Sequence, residues 1–128
     1  MQELKIGLKG EVSITVDNSV SAASVGSGLL DVFATPSMIA LMEKAASSSV
    51  APCLEEGLST VGIKIDVEHV SATPMGMKVT VTSELIEIDR KRLIFSVSAQ
   101  DEAGLIGRGT HERFIIDSDK FMAKTSAK

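Results

Sequence analysis

Thr35-Pro36-Ser37-Met38-Ile39-Ala40-Leu41-Met42-Glu43-Lys44-Ala45-Ala46 carries a helical periodicity, and it decides the fold. At about 100° per residue, Met38, Ile39, Leu41, Met42, Ala45 and Ala46 share one apolar arc. Lys44, Ser47 and Ser48 lie outside it. Thr35 is a favourable N-cap, Pro36 suits the first helical position, and Pro52 and Gly57 punctuate the end. Around this helix the chain alternates as strands do. Val12, Ile14 and Val16 mark an opening strand over about Glu11 to Asp17. After the helix come strand-like stretches at about Thr60 to Ser71, Met77 to Ile88, Arg92 to Gln100 and Leu105 to Asp117. Val79, Val81 and Leu85 share one parity, as do Leu93, Phe95, Val97 and Ala99. Thr73-Pro74-Met75-Gly76, Asp89-Arg90-Lys91 and Asp101-Glu102-Ala103-Gly104 read as short antiparallel turns. The order is strand, helix, then a four-strand meander. One apolar helix against one curved antiparallel sheet is an α+β arrangement. Asn18 to Gly28 is small and polar, and reads as a mobile loop.

The chain has 128 residues, enough for a single domain with a core. Aromatics are scarce, with four Phe and neither Tyr nor Trp, so aliphatic residues and Met must fill the interior. A net charge of -4, with acids and bases mixed, speaks against nucleic acid or an anionic membrane as partner. The one cysteine, Cys53, excludes an internal disulfide and fits a cytoplasmic location. The start, Met1-Gln2-Glu3-Leu4-Lys5-Ile6, lacks the build of a signal peptide. Two histidines without close ligand spacing give no metal motif, and no cofactor motif is present. Free sheet edges make a homodimer the expected assembly.

Three side chains stand out as candidate chemistry. Glu43 falls at the edge of the apolar arc, either a rim carboxylate in water or an acid bordering buried surface. Thr35 lies on the same side, and the helix start beside it offers unpaired N–H groups suited to an oxyanion. Eight residues of helix cover about 12 Å, so Thr35 and Glu43 cannot hydrogen-bond directly. His69 follows Val61, Ile63, Ile65 and Val67 on one parity, and is either a satisfied core histidine or an acid/base group. If that strand face packs on the helix, imidazole and carboxylate can meet in a dry cleft. Gly62, on the other parity, marks a bulge or a close backbone approach. Gly107 and Gly109 flatten one sheet face for close packing. Arg113 either binds an anionic group or pairs with Glu112 or another acid, and His111 reads as structural or exposed. No G-x-S-x-G nucleophile elbow is present.

Val32-Phe33-Ala34-Thr35, Leu41-Met42-Glu43, the run from Val67 through Ser71-Ala72-Thr73-Pro74-Met75-Gly76, and Gly109-Thr110-His111-Glu112-Arg113 together resemble the fluoroacetyl-CoA thioesterase-like family of hotdog-fold thioesterases. The resemblance is collinear from about Val12 to Lys124. It implies a hotdog fold, a sheet wrapped around one long helix, assembled as a homodimer that hydrolyses a short acyl-CoA. It puts Thr35, Glu43 and His69 on catalytic positions, Gly62 near the reacting carbonyl and Arg113 near the acyl pocket. Two departures stand out. The family's fluoroacetyl-specific enzyme has bulky aromatics before the V-F-A-T block, where this chain has Val25-Gly26-Ser27-Gly28-Leu29-Leu30. That difference points away from selectivity for a fluorinated acyl group. Pro36 after Thr35 is the second. Acyl-CoA thioester hydrolysis is therefore the expected activity. A non-catalytic acyl-CoA-binding dimer and a hotdog dehydratase or hydratase are the alternatives.

Overall fold

The computed structural model describes Met1–Lys128. Five strands, β1 (Lys9–Thr15), β2 (Leu58–His69), β3 (Lys78–Asp89), β4 (Arg92–Asp101) and β5 (Gly104–Asp117), form one antiparallel sheet. Its order is β1-β3-β4-β5-β2. Three helices accompany it: α1 (Ala22–Val25), α2 (Thr35–Val50) and α3 (Ser118–Ser126). The sheet curls around α2, whose buried residues Met38, Met42, Ala45, Ala46 and Val50 meet the inward face of the strands.

Strict alternation makes β3 and β4 the core of the sheet. Val79, Val81 and Leu85 on one strand and Leu93, Phe95, Val97 and Ala99 on the next are buried, and their outward neighbours are polar except Ile86 and Ile94. Each Leu, Phe or Met side chain withdrawn from water in this way stabilises the fold by about 1.5–3 kcal/mol. Two glycines set how closely sheet and helix approach. A Cβ on Gly10 would run into the Ala45 carbonyl and one on Gly107 into the Met38 thioether, while one on Gly109 would strike the neighbouring strand at Asp66 and Val67.

The architecture departs from a sequential meander. Only β3, β4 and β5 follow one another; β2 lies at the far edge beside β5, with Leu58 opposite Asp117 and His69 opposite Gly107. The segment with Thr73-Pro74 is therefore a crossover rather than a hairpin turn. It is held at the start of α2, where Phe33 N–H donates to the Thr73 carbonyl (2.9 Å) and the buried Thr73 hydroxyl donates to Asp101 (2.8 Å).

A bulge at Ile63 breaks the β2 register between Gly62 and Lys64. The extra residue switches parity. Ile65, Val67 and His69 face inward with their partners His111, Gly109 and Gly107, and Gly62 faces inward opposite Arg113. Val61 pairs with the exposed Phe114 on the outer side. The five apolar-parity residues of β2 thus do not share one face, and Gly62 lies on the His69 side of the sheet.

The region read as a mobile loop is ordered into a 3-10 turn, Asn18–Val20, and α1, capped by the side chains of Asp17 and Ser21. Helix α3, absent from the sequence reading, is capped by Asp117, with Asp119 in its first turn and Lys124 in its last. No helix is long and apolar enough to cross a membrane.

Candidate active site

Helix α2 begins one residue earlier than capping preferences predict. Ala34 is its N-cap, with no side-chain cap, and Thr35 is already helical. Thr35 is spared because its hydroxyl is engaged elsewhere, 2.7 Å from His69 Nδ1. His69 arrives there at the inward end of β2, opposite Gly107, with Phe33 edge-on to its ring at 6.4 Å. Burial pushes the imidazole below its ordinary range, against a smaller opposing contribution from the Ser71 backbone. Its Nε2 is buried without a hydrogen-bond partner. A cavity of about 280 Å³ opens beside this pair, lined among others by Ala22, Ser27, Phe33 and Ser71. The residues between β1 and α2 thus wall the His69 side.

Glu43 lies two helical turns further on and belongs to a second cluster. Its Oε2 is 3.7 Å from Arg113 Nη1. Arg113, 7% exposed, is held by Thr60 through Nε to Oγ1 (2.8 Å) and Nη2 to the carbonyl (3.0 Å). Burial pulls its guanidinium down from the ordinary value, partly offset by Glu43. Arg113 therefore does not pair with Glu112, whose partner is Arg92 at 2.9 Å. Gly62 stands at the centre of this cluster. A Cβ there would lie 3.2 Å from His111 Cε1 and 3.3 Å from both Arg113 Nη1 and Glu43 Oε2. A second cavity, about 290 Å³, is lined by Glu43, Gly62, Ile63, Lys64, Ile65 and His111.

The five residues singled out in the sequence thus fall into two groups within one chain. Thr35 and His69 form one; Glu43, Gly62 and Arg113 form the other. No hydrogen bond joins them, because α2 runs without a break between Thr35 and Glu43. The sequence reading missed Thr60 and left His111 as structural or exposed; His111 is fully buried and bonded to Arg113. The signal was its spacing: two residues apart on a strand, His111 and Arg113 must share a face. Together the five residues offer a hydroxyl, an imidazole, a carboxylate, a guanidinium and backbone N–H groups.

A curved antiparallel sheet around one long helix is the hotdog fold, shared by the thioesterases that this chain resembles, and here the polar groups gather where the helix face meets the edge strand. A thioesterase-superfamily protein from Thermus thermophilus superposes with a TM-score of 0.90 at 27% identity, covering 99% of this chain and 94% of its own. A solved fluoroacetyl-CoA thioesterase structure superposes with a TM-score of 0.94 at 37% identity, over 99% and 98% of the two chains. The fluoroacetyl-CoA thioesterase of Streptantibioticus cattleyicolor is 48% identical over 98 residues, 77% of this chain and 70% of that protein. Residues 14–119 match the family model described as fluoroacetyl-CoA-specific thioesterase, and the chain belongs to that family.

Proposed function

We propose that this thioesterase hydrolyses a short acyl-CoA to the free acid and CoA, with Thr35, Glu43 and His69 as catalytic residues and Gly62 and Arg113 holding the acyl end. The observation that carries this is the 2.7 Å Thr35–His69 hydrogen bond at the mouth of a cavity, in a chain of this family. A related enzyme has been solved with fluoroacetate and CoA, which supports the same ligand class here. In hydrolysis, Glu43 takes a proton from water as the water oxygen bonds to the thioester carbon, or attacks that carbon itself to give an anhydride that water then cleaves to the free acid. N–H groups at the α2 start or at Gly62 stabilise the oxyanion. The C–S bond then breaks. His69, neutral because it is buried, shares a hydrogen bond with the Thr35 hydroxyl and orients it, and the proton that Glu43 took from water returns to the departing sulfur. The thiolate is a good leaving group, so modest acid assistance suffices.

We further propose that the active protein is a homodimer whose sites draw on both subunits. β2 is a sheet edge, and Ile63 and Ile65 are 50% and 36% exposed on it. Antiparallel pairing of two β2 edges about a two-fold axis near Ile65 brings the His69 end of one strand beside the Gly62 end of the other. That closes the two half-sites into one. One such domain per chain, in the cytoplasm, completes the proposal. The stretch from Val25 to Gly28 with the exposed Leu29 and Leu30 supplies no aromatic lid, which speaks against selectivity for a fluorinated acyl group.

The test is thiol release from a panel of short acyl-CoAs by purified protein, with water-addition products assayed in parallel. Turnover should fall by about 10²–10⁴-fold in Glu43→Ala and in His69→Ala. Tight CoA-ester binding without turnover would establish a binding module instead. Hydration products would establish a hydratase.

A further inference from the structure

We propose that His111 is a positioning residue of this site, a buried acceptor that holds the Arg113 guanidinium in the orientation in which it meets Glu43. This rests on the assignment of Glu43 and Arg113 to the site made above.

His111 is 1% exposed on the inward face of β5, with the Phe95 ring of β4 6.3 Å away. Its Nδ1 is 2.8 Å from the Lys64 carbonyl. A carbonyl only accepts, so Nδ1 carries the proton. A neutral ring then has a lone pair on Nε2, and Arg113 Nη1 donates to it at 3.1 Å. With the two bonds to Thr60, three contacts from β2 and β5 fix the guanidinium plane. The same Nη1 group lies 3.7 Å from Glu43 Oε2. The Lys64 carbonyl flanks the Ile63 bulge, so His111 also ties Arg113 to the strand distortion that turns Gly62 inward.

The charge state of His111 decides whether this works. A protonated ring would aim an N–H at another N–H and bury two cations in contact. The charged and titratable groups facing it are Arg113 and Glu112 on its own strand, Glu43 on α2 and Lys64, through its carbonyl, on β2. Burial is the largest influence and lowers the pKa, and Arg113 lowers it further. The Lys64 carbonyl, Glu43 and Glu112 act the other way, and the net shift is downward. The ring is therefore neutral at neutral pH and offers the acceptor.

Two substitutions separate the two ring nitrogens. In His111→Gln the side-chain oxygen replaces the Nε2 acceptor; in His111→Asn the side-chain nitrogen replaces the Nδ1 donor. The expected result is that H111N lowers kcat by about 10²-fold and raises KM, because Arg113 holds the acyl end, and that H111Q recovers most of both losses. Melting temperatures of the two variants should be similar. Nitrogen NMR of wild-type protein should show the Nδ1–H tautomer, and Arg113 Nη1–H exchange should be slow in wild type and H111Q but fast in H111N. A protonated or Nε2–H ring at neutral pH, or kcat in H111N equal to that in H111Q, overturns the proposal. If the wild type hydrolyses no thioester, the functional assignment falls. The tautomer and the Arg113 exchange rates then decide the positioning role by themselves.

Discussion

A subunit-mixing experiment tests the shared site most directly. Thr35 and Glu43 are eight residues apart on an unbroken helix, about 12 Å along its axis. A catalytic group must come within about 2.6–3.2 Å of the atom it serves, or act through one water. One small acyl carbon therefore cannot be reached by the Thr35–His69 pair and by Glu43 of the same chain. Each site of the proposed dimer takes Thr35 and His69 from one subunit and Glu43 from the other. His69→Ala and Glu43→Ala should each be nearly inactive alone. A heterodimer of the two has one site with both defects and one site with neither. Random exchange makes half the dimers hybrid, each with one of two sites intact, so the equimolar mixture should regain about a quarter of wild-type activity. The assay is thiol release after co-refolding or slow exchange, with hybrid formation measured by native mass spectrometry. Hybrids that form in full but show no more activity than the separate variants would refute the two-subunit site.

Gly62→Ala should lower stability, because the roughly 0.5–1 kcal/mol that alanine gains over glycine in a strand is outweighed by crowding against the pinned His111 and Arg113 side chains. Its activity should fall, since the new methyl sits 3.2–3.3 Å from His111, Arg113 and Glu43; thermal melts beside thiol release check both halves. Thr35→Val removes the hydroxyl bonded to His69 at nearly constant volume, and should lower kcat by about 10²-fold or more while Thr35→Ser retains turnover. Thr35 is exposed in the protomer, so the melting temperature of either variant should move little. Burial lowers the pKa of both His69 and His111 below the ordinary 6.5. As pH falls, the unfolded chain takes up these protons first, so stability should be full above about 6.5 and decline below it. Melting curves between about pH 8 and 5 measure this, and kcat/KM should be level at neutral pH and drop on the acid side. Ile63→Asp places a charge on the exposed β2 edge and should yield monomers by sedimentation, with activity lost in proportion.

The parts of the fold legible in sequence are those governed by one period at a time. β3 and β4 bury one face against α2, so every second residue from Val79 to Leu85, Ser83 excepted, and from Leu93 to Ala99 is apolar, and the alternation reads directly. β2 was misleading for a physical reason. One inserted residue, Ile63, reverses the inward parity, and a string of alternate apolar residues then spans two faces. Nothing local marks β2 as the partner of β5, because the Leu58–Asp117 pairing is a long-range contact made after two other strands intervene. Capping preference favoured Thr35 over Ala34, but a tertiary hydrogen bond to His69 outweighs a local one. The site residues were visible as types and as a family pattern. Their division into two clusters was not, since it depends on where the inward face of β2 changes sides.

The position of β2 also governs the order in which the molecule can be assembled. It is synthesised directly after α2, yet its hydrogen-bonding partner comprises residues 104–117, near the end of the chain. A nascent chain emerging at about 5–20 residues per second must carry β2 unzipped while β3 and β4 form their hairpin. Ile63 and Ile65 are meanwhile without cover. Completion of the final strand thus creates the edge on which His69 and Gly62 lie, and a product truncated before Gly104 would have a packed helix and hairpin but neither half of the catalytic crevice.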